Sequence, residues 1–346
     1  GNLAVASLIT CAIFSTATGI VGAVVTLMGL LAWPAMVNNG YNKTFASGVV
    51  TAGGCLGILI PPSIMFIVYA VVAALSPLRL FAAAMFPGLM LAGLYIIYVI
   101  IAATLNPKLA PKPKLSEIPP RAKIYKDLAV SFLPLFLIIA LVLGTILGGL
   151  ATASEAAAVG AVGAIGLAFF YKTMNWNMFK DSVYLTARTS TMIIWLFVGS
   201  SSFASVFAYL GGQDIFEAFF KSLNLQPWQF LIITQIIIFV LGWPLEWTEI
   251  IIIFVPIFLP LVKFYGIDPY FFGILIGLNL QTSFLSPPMA MAAFYLKGVQ
   301  GDKVSLKEIF KGGYPFIYIV IFSMVLLYNF QGLSTWLPTY LFGQGG

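Results

Sequence analysis

The chain has 346 residues, of which 61% are apolar and only 8% charged, where a soluble domain carries about 25% charged residues. That composition excludes a water-soluble enzyme. Seventeen Lys and Arg against eleven Asp and Glu, a net charge of +6, are too sparse for a nucleic-acid surface. There is no His and only two Cys, Cys11 and Cys55, so imidazole acid–base chemistry, a transition-metal site and a disulfide framework are not expected. The opening Gly1-Asn2-Leu3-Ala4 has neither an initiator Met nor a basic n-region; preceding sequence is expected, and no signal peptide is read.

In chain order, the first long apolar stretch is 2–37, interrupted by the turn formers Ser15-Thr16-Ala17-Thr18-Gly19. Each half, about 14 residues, is too short to cross a bilayer but long enough to reach its centre. That is the size of a re-entrant hairpin. The next stretch, 44–75, is long enough to span but carries Pro61-Pro62 in mid-run. Adjacent prolines remove two backbone donors and orphan upstream carbonyls, which hydrocarbon tolerates only inside protein or beside a cavity. Plain spans follow at 78–105, 128–147, 150–171 and 189–210, with a cytoplasmic Pro-rich linker at 106–127. An amphipathic surface helix is read at 175–187, anchored by Trp176, and an outer surface segment at 211–227. The opening order then returns: 228–262 is broken at Gly242-Trp243-Pro244-Leu245-Glu246, and 269–297 carries Pro287-Pro288. A last span lies at 314–330. None of these runs alternates as barrel strands do, so the fold class is an all-α polytopic membrane protein.

Aligning Pro61-Pro62 on Pro287-Pro288, an offset of 226 residues, pairs Pro34 with Pro260, Gly40 with Gly266, Phe45 with Phe271, Leu59 with Leu285, Met65 with Met291 and Tyr69 with Tyr295. The matching order of hairpin, short loop and Pro-broken helix is stronger evidence for a repeat than these identities. Basic residues cluster at Lys43, 108–126, 172–188 and 297–311, which places those loops inside and leaves Arg79, Lys221 and Lys263 outside. Followed along the chain, that rule makes the first hairpin open to the cytoplasm and the second to the far side. The repeats are therefore expected to be inverted.

Half-helix N-termini hold anions, while half-helix C-termini and freed carbonyls ligate sodium. Small residues with oxygen ligands suit such a cation. The first sodium site is expected from Ser15, Thr18 and Gly19 with Gly57, Ile60 and Pro62. The second is expected from Thr282, Ser283, Ser286 and Pro288 with the hairpin tip at Gly242 and Glu246. Thr16, Ser63, Arg188 and Asn279 are candidates to touch a substrate. The bland alternatives remain open: Ser and Thr bonding their own helix carbonyls, Pro as a mere kink, Arg188 snorkelling to the inner interface. Glu155 reads as a helix-start charge after Thr152, and Glu246 equally as a cap or a cation partner. Cys55, six residues before Pro61, is expected to be a thiol whose modification sodium slows. No HExxH, Walker loop or GxSxG is present, so concentrative transport would draw on an ion gradient.

Gly53-Gly54-Cys55-Leu56-Gly57-Ile58-Leu59-Ile60-Pro61-Pro62-Ser63, Ala153-Ser154-Glu155-Ala156-Ala157-Ala158-Val159-Gly160, the stretch 242–260 and Leu278-Asn279-Leu280-Gln281-Thr282-Ser283-Phe284-Leu285-Ser286-Pro287-Pro288 resemble the large membrane (M) subunit of tripartite ATP-independent periplasmic (TRAP) transporters. The resemblance runs over about 1–330. Further helices usually precede the first hairpin in that family, and their absence here implies a chain lacking its N-terminal helices.

The resemblance implies sodium-driven import of a small organic acid across the bacterial inner membrane. It also implies a small membrane (Q) subunit, a periplasmic substrate-binding (P) protein and, beyond Na⁺ as coupling ion, no cofactor. By an elevator mechanism, 1–75 and 228–298 would move as a transport domain against scaffold segments 76–227 and 299–346. A 2-oxo or hydroxy monocarboxylate is suggested by Gln281-Thr282-Ser283-Phe284 and the Glu246/Glu249 pair. The alternatives are a stand-alone sodium/dicarboxylate-type elevator symporter and a membrane subunit that only packs.

Overall fold

A computed structural model describes residues 1–111, 120, 123, 126, 129–130 and 132–343. Most of the expected linker 106–127, including Lys112, Lys114 and Arg121, lies outside these, as do Leu128 and Ser131. The described residues are helical and contain no strand. We number the helices α1 (Asn2–Thr18), α2 (Val21–Asn38), α3 (Lys43–Cys55), α4 (Ile64–Val72), α5 (Pro77–Leu105), α6 (Leu133–Leu147), α7 (Ala153–Phe170), α8 (Trp176–Tyr209), α9 (Gly212–Ser222) and α10 (Pro227–Leu241). The rest are α11 (Trp247–Phe264), α12 (Pro269–Leu285), α13 (Met291–Gln300), α14 (Leu306–Asn329) and α15 (Gly332–Phe342). Six of them, α2, α5, α7, α8, α11 and α14, are long and apolar enough to cross a membrane. With this composition, the chain is a multi-pass membrane protein.

Local chemistry sets the boundaries. Gly19 closes α1 in the left-handed region at φ 61°, its N–H donating to the Ser15 carbonyl, a conformation glycine reaches without penalty. Pro77, Pro227 and Pro269 open their helices at the first turn, where a missing N–H costs nothing. Thr152 and Glu155 form a reciprocal capping box at the start of α7, Glu155 Oε2 accepting from the Thr152 N–H at 2.8 Å. Glu155 thus satisfies a helix start.

Helices α1 and α2 fold back on one another as the first hairpin; α10 and α11 form the second. Their arms, 15 to 18 residues, are longer than the 14 expected, because each helix runs up to the turn itself. The two hairpins differ. The arms of the first pack along each other, whereas those of the second splay and meet near their open end through the stacked rings of Phe230 and Tyr265, 4.6 Å apart. A π-turn at Ile250–Phe254 interrupts α11.

Both Pro-Pro pairs break their segments: 59–63 separates α3 from α4, and 286–290 separates α12 from α13. Both peptide bonds are cis. Helices α3 and α12 form the centre, every residue of 45–55 and 271–283 being buried. The equivalent tyrosines cross between halves. Tyr69 donates to the Pro269 carbonyl at 2.7 Å and its ring covers Gly273, while the ring of Tyr295 covers Gly22.

Helices α5 and α14 pack directly on the central unit: α14 lies along α3 and α12, with Gly48 and Gly312 in backbone contact. Two details of the helix pattern differ from expectation. Residues 175–187 and 189–210 form one helix, α8, because no helix breaker separates them. Segment 211–227, expected at the outer surface, contains helix α9. By contrast with the centre, α6, α7 and α8 each bury a single residue.

Candidate functional site

The tip of the first hairpin rests on the first break through two glycines. A Cβ on Gly19 would lie 3.4 Å from the Pro62 carbonyl oxygen, and one on Gly57 3.4 Å from Ser15 Oγ. Ser15 is fully buried and its hydroxyl has no hydrogen-bond partner among the described residues. Ile60 is buried beside them, against Gly88 of α5. Ser15, Gly19, Gly57, Ile60 and Pro62 therefore form one cluster. The Thr18 hydroxyl is already committed, donating to the Phe14 carbonyl at 3.1 Å, as the bland reading holds.

The second tip repeats this contact with a different disposition of groups. A Cβ on Gly242 would fall on Ser283 Oγ. The Ser283 and Ser286 hydroxyls are buried and without a partner among the described residues. Gly242, Glu246 and Ser283 line a cleft of about 20 Å³ with Leu245, Met289 and Met291, room for one water- or ion-sized occupant. Glu246 occupies the N-cap position of α11 and makes no side-chain capping bond. Thr282 donates to the Asn279 carbonyl at 2.6 Å. Pro288 is exposed.

An orphaned buried hydroxyl costs about 1–3 kcal/mol, so these three, at two equivalent breaks, are oxygens free to take a water or a small cation. An oxygen-seeking monovalent cation fits the donor set, and the second cluster adds the carboxylate of Glu246 and, three residues on, Glu249. The first carries no charge. There the N-termini of α2 and α4 begin just beyond Gly19 and Ser63, an arrangement suited to an anion.

The substrate candidates separate. Thr16 and Pro62 line a cavity of about 600 Å³ between the first tip and the α6–α7 pair. The Thr16 hydroxyl bonds the Ile13 carbonyl at 2.6 Å. Ser63 donates to the Ile58 carbonyl at 2.6 Å, satisfying a group the Pro-Pro break frees. Asn279 ties α12 to the second hairpin, donating to the Gln235 carbonyl at 2.6 Å and its side-chain oxygen at 2.9 Å. Arg188 is exposed on α8 with no hydrogen bond or ion pair to a described residue, away from both clusters. Cys11 and Cys55 are fully buried, so Cys55 is not an accessible probe.

Two residues outside the predicted sites stand out. Gln235 partners Asn279, and Gln281 is fully buried with neither amide atom bonded among the described residues. Their signal in the sequence is an amide inside an apolar run.

An all-helical membrane body with paired, interrupted helices and orphaned oxygens near its centre has the build of a membrane permease. The model of the tripartite ATP-independent periplasmic transporter, DctM component, matches residues 1–333, and the chain belongs to that family. It is 31% identical over 342 residues to the C4-dicarboxylate TRAP transporter large permease protein DctM of Pseudomonas aeruginosa, covering 99% of this chain and 78% of that one. It is 27% identical to the sialic acid TRAP transporter large permease protein SiaM of Vibrio cholerae, covering 100% and 79%. It is 30% identical to the isethionate TRAP transporter permease protein DctMQ of Oleidesulfovibrio alaskensis, covering 94% and 50%.

Proposed function

We propose that this large permease subunit imports a small organic acid anion across the bacterial inner membrane, coupled to sodium, with substrate delivered by a periplasmic binding protein. The observation that carries the reading is the set of unpartnered buried hydroxyls of Ser15, Ser283 and Ser286, one group at each hairpin–break junction. Sodium occupies both clusters. The pair Glu246 and Glu249 raises cation affinity at the second, and the uncharged first tip leaves helix N-termini free to face the substrate carboxylate. The relatives' names are those of acids or their anions, which favours an acidic substrate.

The cavity beside Thr16 lies between the central unit and the exposed α6–α7 pair, where a substrate would ride during an elevator movement. The moving body is α1–α5 with α10–α14; α6–α8 belong to the scaffold and, with a small membrane subunit, support it. The first hairpin opens to the cytoplasm and the second to the periplasm, the orientation that the basic residues at 43, 108–126, 172–188 and 297–311 favour.

The test is uptake into proteoliposomes holding the complete membrane complex, with and without an inward sodium gradient and with and without purified binding protein. Uptake requiring both is expected. Uptake that ignores sodium would overturn the coupling, and uptake without the soluble protein would make this a stand-alone symporter.

A further inference from the structure

A second large cavity takes no part in the sites above. It encloses about 490 Å³ between α10, α12 and α14, within the size range of small-molecule sites. Its walls are helical stripes. Helix α10 contributes Trp228, Ile232, Ile236 and Phe239, and α14 contributes Ile321, Val325 and Tyr328 at one-turn spacing. Leu275, Asn279 and Thr282 of α12 form the floor. The floor is not a polar site, because Asn279 and Thr282 spend their hydrogen bonds on Gln235 and on the helix itself.

Shape and depth select the occupant. From Trp228 to Phe239 is eleven residues, about 16 Å of helix, close to half of the roughly 30 Å hydrocarbon core. Trp228 begins its arm and Tyr328 ends α14, so both aromatic rings lie at one mouth, where amphipathic rings sit at the headgroup level. The slot then runs inward as apolar wall to the membrane centre. A water-soluble ligand finds only the buried Gln235 amide nitrogen left to bond there, whereas an extended hydrocarbon chain matches both length and chemistry.

We propose that this slot holds one acyl chain of a phospholipid from the outer leaflet, seated against the first arm of the second hairpin. The leaflet rests on the orientation proposed above; the occupancy does not. Since α10 carries Gly242 at its end and Gln235 at its middle, a chain in the slot braces the arm that leads to the second cation cluster.

The experiment uses the purified complete membrane complex, read by native mass spectrometry and by quenching of tryptophan emission with a phosphatidylcholine dibrominated at mid-chain. The Trp228 contribution is taken as the difference from Trp228→Phe. The expected result is one retained phospholipid per chain and strong Trp228 quenching at low lipid ratio. Both should be lost when Ile236→Phe and Val325→Phe fill the slot. No retained lipid in the wild type, or equal retention in the filled variant, would overturn the proposal. So would a Val325→Cys crosslink to another protein segment, which would mean that a helix occupies the slot. Sodium-driven uptake is not read here, so retention with sodium-independent uptake would sink the proposed coupling alone.

Discussion

Gly242 and Ser283 meet so closely that no β-carbon fits between them, while 226 residues earlier the position of Ser283 is taken by Gly57, whose partner on the hairpin is Ser15. Each junction thus pairs one glycine with one serine, but the two are exchanged between hairpin and broken helix. The exchange keeps a hydroxyl in the glycine contact at each junction while it alternates the element that supplies it, and Ser286 adds a second hydroxyl at the later break.

This swap yields a direct test. Gly242→Ser alone drives a side chain into Ser283 and should abolish sodium-driven uptake. Ser283→Gly alone should raise the sodium concentration for half-maximal uptake by roughly tenfold or more, the worth of one hydrogen bond to a charged group. The double variant rebuilds the disposition of the first junction and should recover most of the loss. A double variant no better than Gly242→Ser would show that the hydroxyl does not act as an ion ligand.

At the first junction the two hydroxyl residues should behave differently. Ser15→Ala removes an unbonded oxygen and should weaken sodium activation by about tenfold. Thr18→Val removes a hydroxyl already bonded to the Phe14 carbonyl and should change it by less than about threefold, the effect of a spent local bond. Equal sensitivity of the two, measured as sodium activation of uptake, would remove Ser15 from the site.

The crossing of α3 and α14 depends on Gly48 and Gly312, where an added methyl would strike the opposing backbone. Gly48→Ala or Gly312→Ala should cost about 1–3 kcal/mol from overpacking and lower the midpoint of thermal unfolding in detergent. An unchanged midpoint would mean that the helices do not cross so tightly.

Cys11 and Cys55 are both fully buried. Native protein should resist a maleimide equally in sodium and choline buffers, and take up reagent at both thiols after denaturation. Rapid labelling of Cys55 in native protein would place that part of α3 at an open aqueous path.

The helix breaks were legible because their chemistry is local. Gly19 needs a left-handed backbone, the Pro-Pro pairs remove donors, and Thr152 with Glu155 spells a capping box within four residues. The junctions were legible in part. Hydroxyl and glycine positions next to a break pointed to Ser15, Gly57, Ser283 and Ser286, but nothing in the chain distinguishes the free hydroxyl of Ser15 from the spent one of Thr18. That distinction depends on side-chain rotamers. The packing of α5 and α14 on the central unit was not legible, since their hydropathy is that of any span. The contacts that decide it, Gly48 on Gly312 and Gly88 on Ile60, join residues far apart in sequence. Arg188 shows the same limit: an arginine near an apolar run reads alike whether it faces a cavity or an interface.

Helix α8 runs unbroken for 34 residues, about 51 Å, against a hydrocarbon core of roughly 30 Å. Part of it must lean or project beyond the lipid, and it packs against the π-turn of α11 within the second hairpin. Its tilt in the bilayer is therefore tied mechanically to one side of the second hairpin. A thicker membrane should stand this helix more upright and press that turn differently, so uptake into proteoliposomes should vary with the acyl-chain length of the lipid.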